Sequence, residues 1–565
     1  MEAPFSLEIV DVNHVPIVRK FIARLGIADA VNKLVSGRMT ADIGQAVVFL
    51  ILDALSGRSP LYRVAERYSS LDTEALMGND FDANTLCNHT LGRVLDKLHE
   101  AGTQKILSSI SHYAIAEFGL DVRAAHFDTT SVSLFGSEYS KPQEGATTPH
   151  ITHGYSKDHR PDLKQFMVSL LCISGNIPVL GRVENGNASD VKLNNRVLTD
   201  VSSYLAVHGF NEKATIYIAD SAMVSEDNLS ATGSMPFLTR LPARYKECGR
   251  VIEEAVAKGD GAWTPIGRLS QESGTPKRPA TVYACQEASV TLYKKTYRAV
   301  VIHSSAHDKR RQGKVDRDIK KDRSAVDKHC KEITTISYRC EADAVEAARR
   351  VEKASTTLHE IRASVKEVPR YGRGRPAKGT GRTPLHMEYQ VEVEVAQNDV
   401  AVAKLREEAG CLVLLTNLDS EKDRQSYDGK ALLSLYKEQY GIEQNFGFLK
   451  DPAIVDGIFL KRPERIEVLG LILILALMIW RLMEREMRQY VAISGHELPG
   501  WPNRMTSKPT SFMMTTKFHS IRLVRHDGKL LLAQPFNDVQ TAYLIALGVR
   551  PEEFLPPGLE ATENG

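Results

Sequence analysis

Three things are scarce in this 565-residue chain, and each scarcity excludes a class of protein. Cysteine occurs at 87, 172, 248, 285, 330, 340 and 411, an odd and dispersed set without a Cys-x-x-Cys pair. That argues against a disulfide framework or a zinc ribbon, and for a reducing, cytoplasmic setting. Net charge is nearly absent, because 72 Lys and Arg against 70 Asp and Glu leave only +2. Nucleic-acid binding is therefore not announced by composition, and any basic surface must be local. Long apolar stretches are also short in supply. Val468–Trp480 is flanked by charges and too short to span a bilayer, so it reads as a buried helix. The opening MEAPFSLEIVDVNH has no basic stretch followed by an apolar one, so neither a signal peptide nor a membrane partner is expected.

What is present is ordinary: 42% hydrophobic and 25% charged residues, as in a soluble globular protein. The length allows about three or four domains. Residues 1–120 read as helical, with an apolar helix at Ile43–Leu55, another beginning at Ser59-Pro60 (LYRVAERYSSL), and periodic stretches at Leu91–Leu98 and Ile106–Phe118. From Val122 the texture changes. Strands are expected at Ala124–Leu134, Gln165–Ile173, Ile177–Glu184, Thr215–Ala219 and Pro236–Leu241, with a helix capped by Asn187-Ala188-Ser189-Asp190 after the third. Three strands, helix, strand, helix, strand is the order of a ribonuclease H-like sheet.

Residues 243–410 interrupt that order. Strand candidates lie at 280–285, 289–293 and 297–303, followed by a charged helical stretch from about 307 to 366. Residues 307–331 hold ten Lys and Arg against five Asp, the composition of a solvated helix face. The loop PRYGRGRPAKGTGRTP (369–384) has five Lys and Arg and no acid. Its Arg373-Gly374-Arg375-Pro376 reads either as a flexible exposed loop or as the core of an AT-hook, whose extended arginines enter narrow A·T minor grooves. Further strands at 388–395 and 411–416 precede a helix around Glu443, and the tail from Pro556 reads as disordered.

The segment 436–450, YKEQYGIEQNFGFLK, carries the strongest signal. Tyr436, Glu443 and Lys450 are spaced by sevens, so on a continuous helix they share one face. A core helix would place apolar groups there. Asp128 lies on the first strand, between His126 and Thr130 on the same face, and Asp220 ends the fourth. Taken singly, Asp128 also reads as a strand aspartate bonded to its neighbours and Asp220 as a helix cap.

Tyr-x2-Gln-x3-Glu-x6-Lys resembles the glutamate signature of bacterial insertion-sequence transposases with an Asp-Asp-Glu site. Gln439 stands where that signature has arginine. The continuation Phe446–Pro452, the string Gly154-Tyr155-Ser156-Lys157-Asp158-His159-Arg160-Pro161-Asp162-Leu163-Lys164-Gln165 and Leu91–Leu98 are similar to the insertion-sequence-four superfamily, within it the sixteen-thirty-four branch. The resemblance implies an α/β fold in which a ribonuclease H-like core follows an all-α domain and carries a β-rich and helical insertion. The segments would be 1–120 (end binding, dimerisation or a structural role), 121–242 (core), 243–410 (insertion), 411–495 (core, glutamate helix) and 496–565 (C-terminal region).

The resemblance also implies a site. Asp128, Asp220 and Glu443 would be the catalytic carboxylates and would hold two Mg²⁺ or Mn²⁺ ions, roughly 3.5–4 Å apart in such sites. Hard oxygen ligands suit those ions and not zinc. Lys450 would neutralise a DNA phosphate, Tyr436 would touch the same backbone, and Gln439 would contact it more weakly than an arginine. Lys157 and Arg160, in a loop whose histidines could otherwise suggest a metal, are expected to contact phosphate, and Arg373 and Arg375 DNA. The implied partners are double-stranded DNA, as transposon ends and target, and a second copy of the chain. A catalytically silent DNA-binding relative and a structure-selective nuclease are the competing functions.

Overall fold

In the computed structural model the described residues are all but 1–7, 38, 40, 58–72, 78–84, 136–137, 140–147, 208–213, 270–279, 374–382, 452–459, 503, 527–528 and 556–565. The chain forms two units, one of residues 1–239 with 435–565 and one of residues 240–434.

The first unit joins the helical N-terminal region to the sheet that follows it. Strand β1 (Glu8–Asp11) pairs antiparallel with Arg522–His526, so the two ends of the unit are stitched together. Helices α1 (Val15–Arg24), α2 (Ile27–Leu34), α3 (Ile43–Leu55), α4 (Asn88–Ala101) and α5 (Thr103–Glu117) follow. Helix α3 starts where Asp42 accepts a hydrogen bond from the Gln45 amide, a side-chain N-cap, and is buried almost all round. The helix expected at LYRVAERYSSL lies outside the described residues.

Strands β2 (Ala124–Leu134), β3 (Lys164–Ile173) and β4 (Ile177–Glu184) are antiparallel neighbours. After α6 (Asp190–Val207), strand β5 (Ile216–Ala219) returns parallel to β2, and after α7 (Glu226–Ala231), β6 (Phe237–Arg240) returns parallel to β5. Within this unit the strand order is β4-β3-β2-β5-β6. The parallel pairs require crossovers, and the two helices supply them. β3, buried at nine of its ten positions, reads as a continuous apolar strand because both its faces are covered.

Helix α14 (Pro463–Ser494) is the spine of the unit. Pro463 opens it with a fixed φ, and Gly495 closes it at φ 72 in the left-handed region. It is longer than the apolar run suggests and would pass a length-and-composition test for a membrane span, but 89% of its apolar window is buried inside the chain. It lies on β4, with Gly470 and Gly181 allowing close approach to Val183 and Ile474, and against α3 and α4. Arg465 donates to Asp96 of α4 at 2.9 and 2.8 Å, and Thr103 of α5 donates to Glu467 at 2.6 Å.

The second unit differs from its sequence-based outline in three places. The three short strands expected before the charged stretch are two, β8 (Tyr283–Leu292) and β9 (Lys295–Ser304), flanked by α8 (Lys246–Ala257) and β7 (Thr264–Gly267). They form a hairpin whose two turn residues, Tyr293 and Lys294, have φ of 50 and 65, so the connection has the left-handed turn geometry that matches strand twist. The charged stretch is not one helix to 366. It is α9 (Ser305–Thr334), β10 (Ser337–Tyr338), α10 (Glu341–Glu352) and then β11 (His359–Arg370), which pairs along its whole length with β12 (His386–Gln397). After α11 (Asp399–Ala409), β13 (Cys411–Thr416) pairs antiparallel with β9 and so belongs to this unit.

Candidate functional site

The parallel pairing of β2 with β5 sets Phe127 beside Ala219. Asp128 follows Phe127 on β2, and Asp220 follows Ala219 just past the end of β5, so the two acids extend from the ends of one residue pair on neighbouring strands, which lie about 5 Å apart. Asp220 sits where the strand stops and caps the turn Ser221–Met223, accepting from the Ala222 amide at 3.0 Å. Thr239 donates to the Asp220 carbonyl oxygen at 2.8 Å and fixes that backbone. Asp128 accepts from the Thr129 amide at 2.7 Å.

Burial pushes the Asp128 carboxyl up to about 7; the Lys157 charge and the Thr129 amide oppose the rise, and the Asp220 and Asp190 charges add to it. Asp220 is raised as well, first by burial, against the Ala222 amide, with Asp190 adding. For both aspartates the cost of burial exceeds what the Lys157 charge returns.

Asp190 is the acid that sequence reasoning treated only as part of a cap. It opens α6, and Thr129 Oγ1 donates to its Oδ1 at 2.6 Å. An acid at the first turn of the helix after the third strand was the available signal, since that helix must start near the carboxyl edge of β2. Lys157 enters the same pocket. Its Nζ donates to the carbonyl oxygen and the hydroxyl of Thr129 at 2.7 and 2.9 Å and stands 3.5 Å from Asp190 Oδ2. Its backbone amide donates to Ser131 Oγ at 2.9 Å, pinning the loop to β2. This lysine is an internal counter-ion to the acids.

The glutamate segment is two helices. α12 (Gly429–Glu438) ends before Gln439, and α13 (Tyr440–Lys450) begins after it. The Gln439 amide bonds back to Tyr436 and the Ile442 amide to Gln439, three residues apart in each case, so the chain tightens there. Tyr436 is therefore on a different helix from Glu443 and Lys450, and the spacing by sevens describes one face only for the latter two. Gln439 is half-buried in the junction.

Helix α13 packs against β2 and is anchored by Asn445, which is fully buried. Its Nδ2 donates to the Asn176 carbonyl at 2.8 Å, and its Oδ1 accepts from Arg481 of α14 at 2.6 Å. Gly441 lies so close to the Asn176 side chain that no Cβ would fit. Glu443, in the first turn, is exposed, and among the described residues no hydrogen bond or ion pair engages its carboxylate. Lys450, at the other end, pairs with Asp158 at 2.5 Å. Arg160 pairs with Asp162 at 2.7 Å, its guanidinium 5.8 Å from the centre of the exposed Phe135 ring. Arg373 is exposed on the second unit, and Arg375 lies outside the described residues. Glu438, at the end of α12, stands 3.7 Å from Nε2 of the buried His126.

The structure thus brings Asp128 and Asp220 together, adds Asp190 and Lys157, and carries Glu443 on a helix packed beside them. Among the described residues no three acid, histidine or cysteine side chains converge as a ready-made cage for one ion. The Asp128–Asp220 pair nonetheless fits a hard divalent cation in kind: its donors are oxygens, and the buried Asp128 carboxyl, pushed up to about 7, is only partly compensated by Lys157.

A family model described as a domain of unknown function (DUF4277) matches residues 7–112. No curated protein matches. Among solved structures, the chain is similar to the Mos1 transposase paired-end complex with left transposon end at 9% identity, covering 38% of this chain and 62% of that one. The TM-score is 0.16, and a likeness of that quality does not establish a shared fold.

Proposed function

We propose that the chain is a metal-dependent DNA transposase of the Asp-Asp-Glu type on a ribonuclease H-like sheet. The observation that carries the reading is the proximity of Asp128 and Asp220, which follow the paired residues Phe127 and Ala219 of the adjacent parallel strands β2 and β5 in the order β4-β3-β2-β5-β6. Helix α13, which bears Glu443, packs on that same central strand. In this reading Asp128 and Asp220 hold Mg²⁺ or Mn²⁺, and Glu443 supplies the third carboxylate. When bound, a pair of such ions lowers the cost of generating an oxygen nucleophile and stabilises the departing oxygen of an in-line phosphoryl displacement.

The protein's own part is to keep the acids in place. The Thr129 and Ala222 amides orient the two aspartates, and Asn445 with Arg481 holds the glutamate helix against the sheet. The reaction is hydrolysis at a transposon end, releasing a 3′-hydroxyl, and then attack by that hydroxyl on target DNA. Its partners are double-stranded DNA and a second copy of the chain in the synapsed state, in the bacterial cytoplasm with the nucleoid. Lys450, Lys157 and Arg160 each face an acid of the chain itself, so any phosphate contact by them requires exchange of Asp158, Asp190 or Asp162 for DNA.

One observation favours a second reading. Glu443 is exposed and no three-ligand cluster is assembled among the described residues, as in a DNA-binding relative that has lost catalysis. Purified protein, DNA bearing the element's ends and Mg²⁺ or Mn²⁺ separate the two. The proposal expects end cleavage and strand transfer by the wild type, abolished in Glu443→Gln and Asp128→Asn while binding to the ends survives. Cleavage retained in Glu443→Gln removes the assignment of that residue, and end binding without any cleavage by the wild type supports the second reading.

A further inference from the structure

Helix α9 segregates its charges in a way that composition does not reveal. Val315, Ile319, Val326 and Cys330 are buried against α11, α10 and β11, and they mark the inward face. The acids of the helix are drawn toward that side or into pairs. Asp316 accepts from Arg406 of α11 at 2.7 Å, Asp322 meets His359 at 2.7 Å and Thr356 at 2.6 Å, and Asp327 pairs with Arg323 at 2.8 Å.

At 100° per residue, Lys314, Arg317, Lys320, Lys321, Lys328 and Lys331 fall on the opposite side of the helix. All six are exposed, and none has an ion pair or side-chain hydrogen bond among the described residues. Among the described side chains of the helix, two acids have no ion pair: Asp318, off to one flank, and Glu332, four residues after Lys328 at the end of the lysine face. The stripe runs from Lys314 to Lys331, 18 residues, or about 25 Å at 1.5 Å of rise per residue. Like charges on one helix face repel one another, and among the described residues no ion pair relieves that repulsion. An external polyanion does.

We propose that this face of α9 is a docking surface for the phosphate backbone of double-stranded DNA, separate from the Asp128–Asp220 site. The stripe is long enough to meet several phosphates, because duplex DNA carries one charge per about 1.7 Å of axis. Lysine predominates, and lysine binds phosphate as a point charge without the fork geometry that reads bases, so the contact is sequence-independent. The choice of DNA among polyanions rests on the function proposed above.

The test is binding of the full chain to a random-sequence duplex, measured by fluorescence anisotropy between 50 and 300 mM salt without divalent cations. The stripe variant is Lys314→Gln, Arg317→Gln, Lys321→Gln and Lys328→Gln together. Its control carries Lys246→Gln, Lys258→Gln, Arg268→Gln and Lys295→Gln, which removes the same charge from exposed positions elsewhere in the unit. If the stripe seats the backbone, its variant loses about tenfold or more in affinity near 100 mM salt, and the slope of log K against log salt falls by about 2–4. The control changes the slope by less than about 1. Equal slopes for the two variants overturn the proposal, as does a wild-type preference for single-stranded RNA over the duplex. Circular dichroism checks that both variants are folded, and among the described residues the substituted side chains have no ion pair or side-chain hydrogen bond to lose. Failure of cleavage in the site variants leaves this result unaffected, because the assay contains no metal and no end sequence.

Discussion

Replacing Asp128 by asparagine should stabilise the metal-free protein, and by more as the pH rises. Asparagine keeps an oxygen to accept from the Thr129 amide and removes the charge. In the unfolded chain the carboxyl ionises near 3.8, and in the folded chain burial delays ionisation to about 7. Between those values the folded state binds the proton more tightly. The stabilisation from the neutral carboxyl is therefore complete below about pH 4, falls as the pH rises through 7, and is gone above it. At 1.36 kcal/mol per pH unit the whole effect is about 4 kcal/mol, and about half of it falls between pH 5.5 and 8.

Calorimetry in EDTA should show the wild-type transition of the first unit losing stability by about 2 kcal/mol, or ~2–5 °C, from pH 5.5 to 8 relative to the variant. Adding Mg²⁺ or Mn²⁺ should restore the wild type at pH 8 and leave the variant unchanged, because only a site with both carboxylates gains from the ion. A pH slope identical in wild type and variant would falsify the claim that burial of Asp128 outweighs the opposing charge of Lys157.

Two further expectations concern the frame that holds the site. Arg481→Met removes the 2.5 Å partner of the buried Glu484, leaving it Arg488 at 3.5 Å and the Ser511 amide, and removes the donor to Asn445. It should cost about 3–5 kcal/mol of the first unit's stability by denaturant titration, and Arg481→Met with Glu484→Leu should recover most of that; a single variant as stable as wild type would show the pair to be dispensable. Gly470→Val drives a side chain into Val183, where α14 lies on β4, and should lower stability by about 1–3 kcal/mol. Val183→Ala should relieve it, and an unrelieved double variant would place the clash elsewhere.

Much of the strand order was legible because strands announce themselves locally. Alternation and the β-branched, apolar texture of Ala124–Leu134 and Lys164–Ile173 are properties of a few successive residues. The hairpin Tyr283–Ser304 was harder. Its turn is Tyr293-Lys294, which lacks the glycine or asparagine that usually marks left-handed turn residues, so one hairpin read as three pieces. The helix break at Gln439 was invisible for a related reason: the residue keeps helical backbone angles, φ −55 and ψ −25, and no proline or glycine occupies that position. Cys411–Thr416 reads as a strand from sequence alone, but its pairing with Lys295–Ser304 is a contact over more than a hundred residues that no local signal carries.

The sequence by itself determined where the acids sit along their elements: Asp128 in the first core strand, Asp220 at the end of the fourth, Glu443 in a helix downstream. Periodicity and chain-breaking residues act within a few positions, and those assignments need nothing more. Only the tertiary structure decided which charges meet. Lys157 partly offsets the buried acids from a loop, Asp190 joins them from the start of α6, and Lys450 finds Asp158, because electrostatic partners are chosen by distance in space after the strands pair.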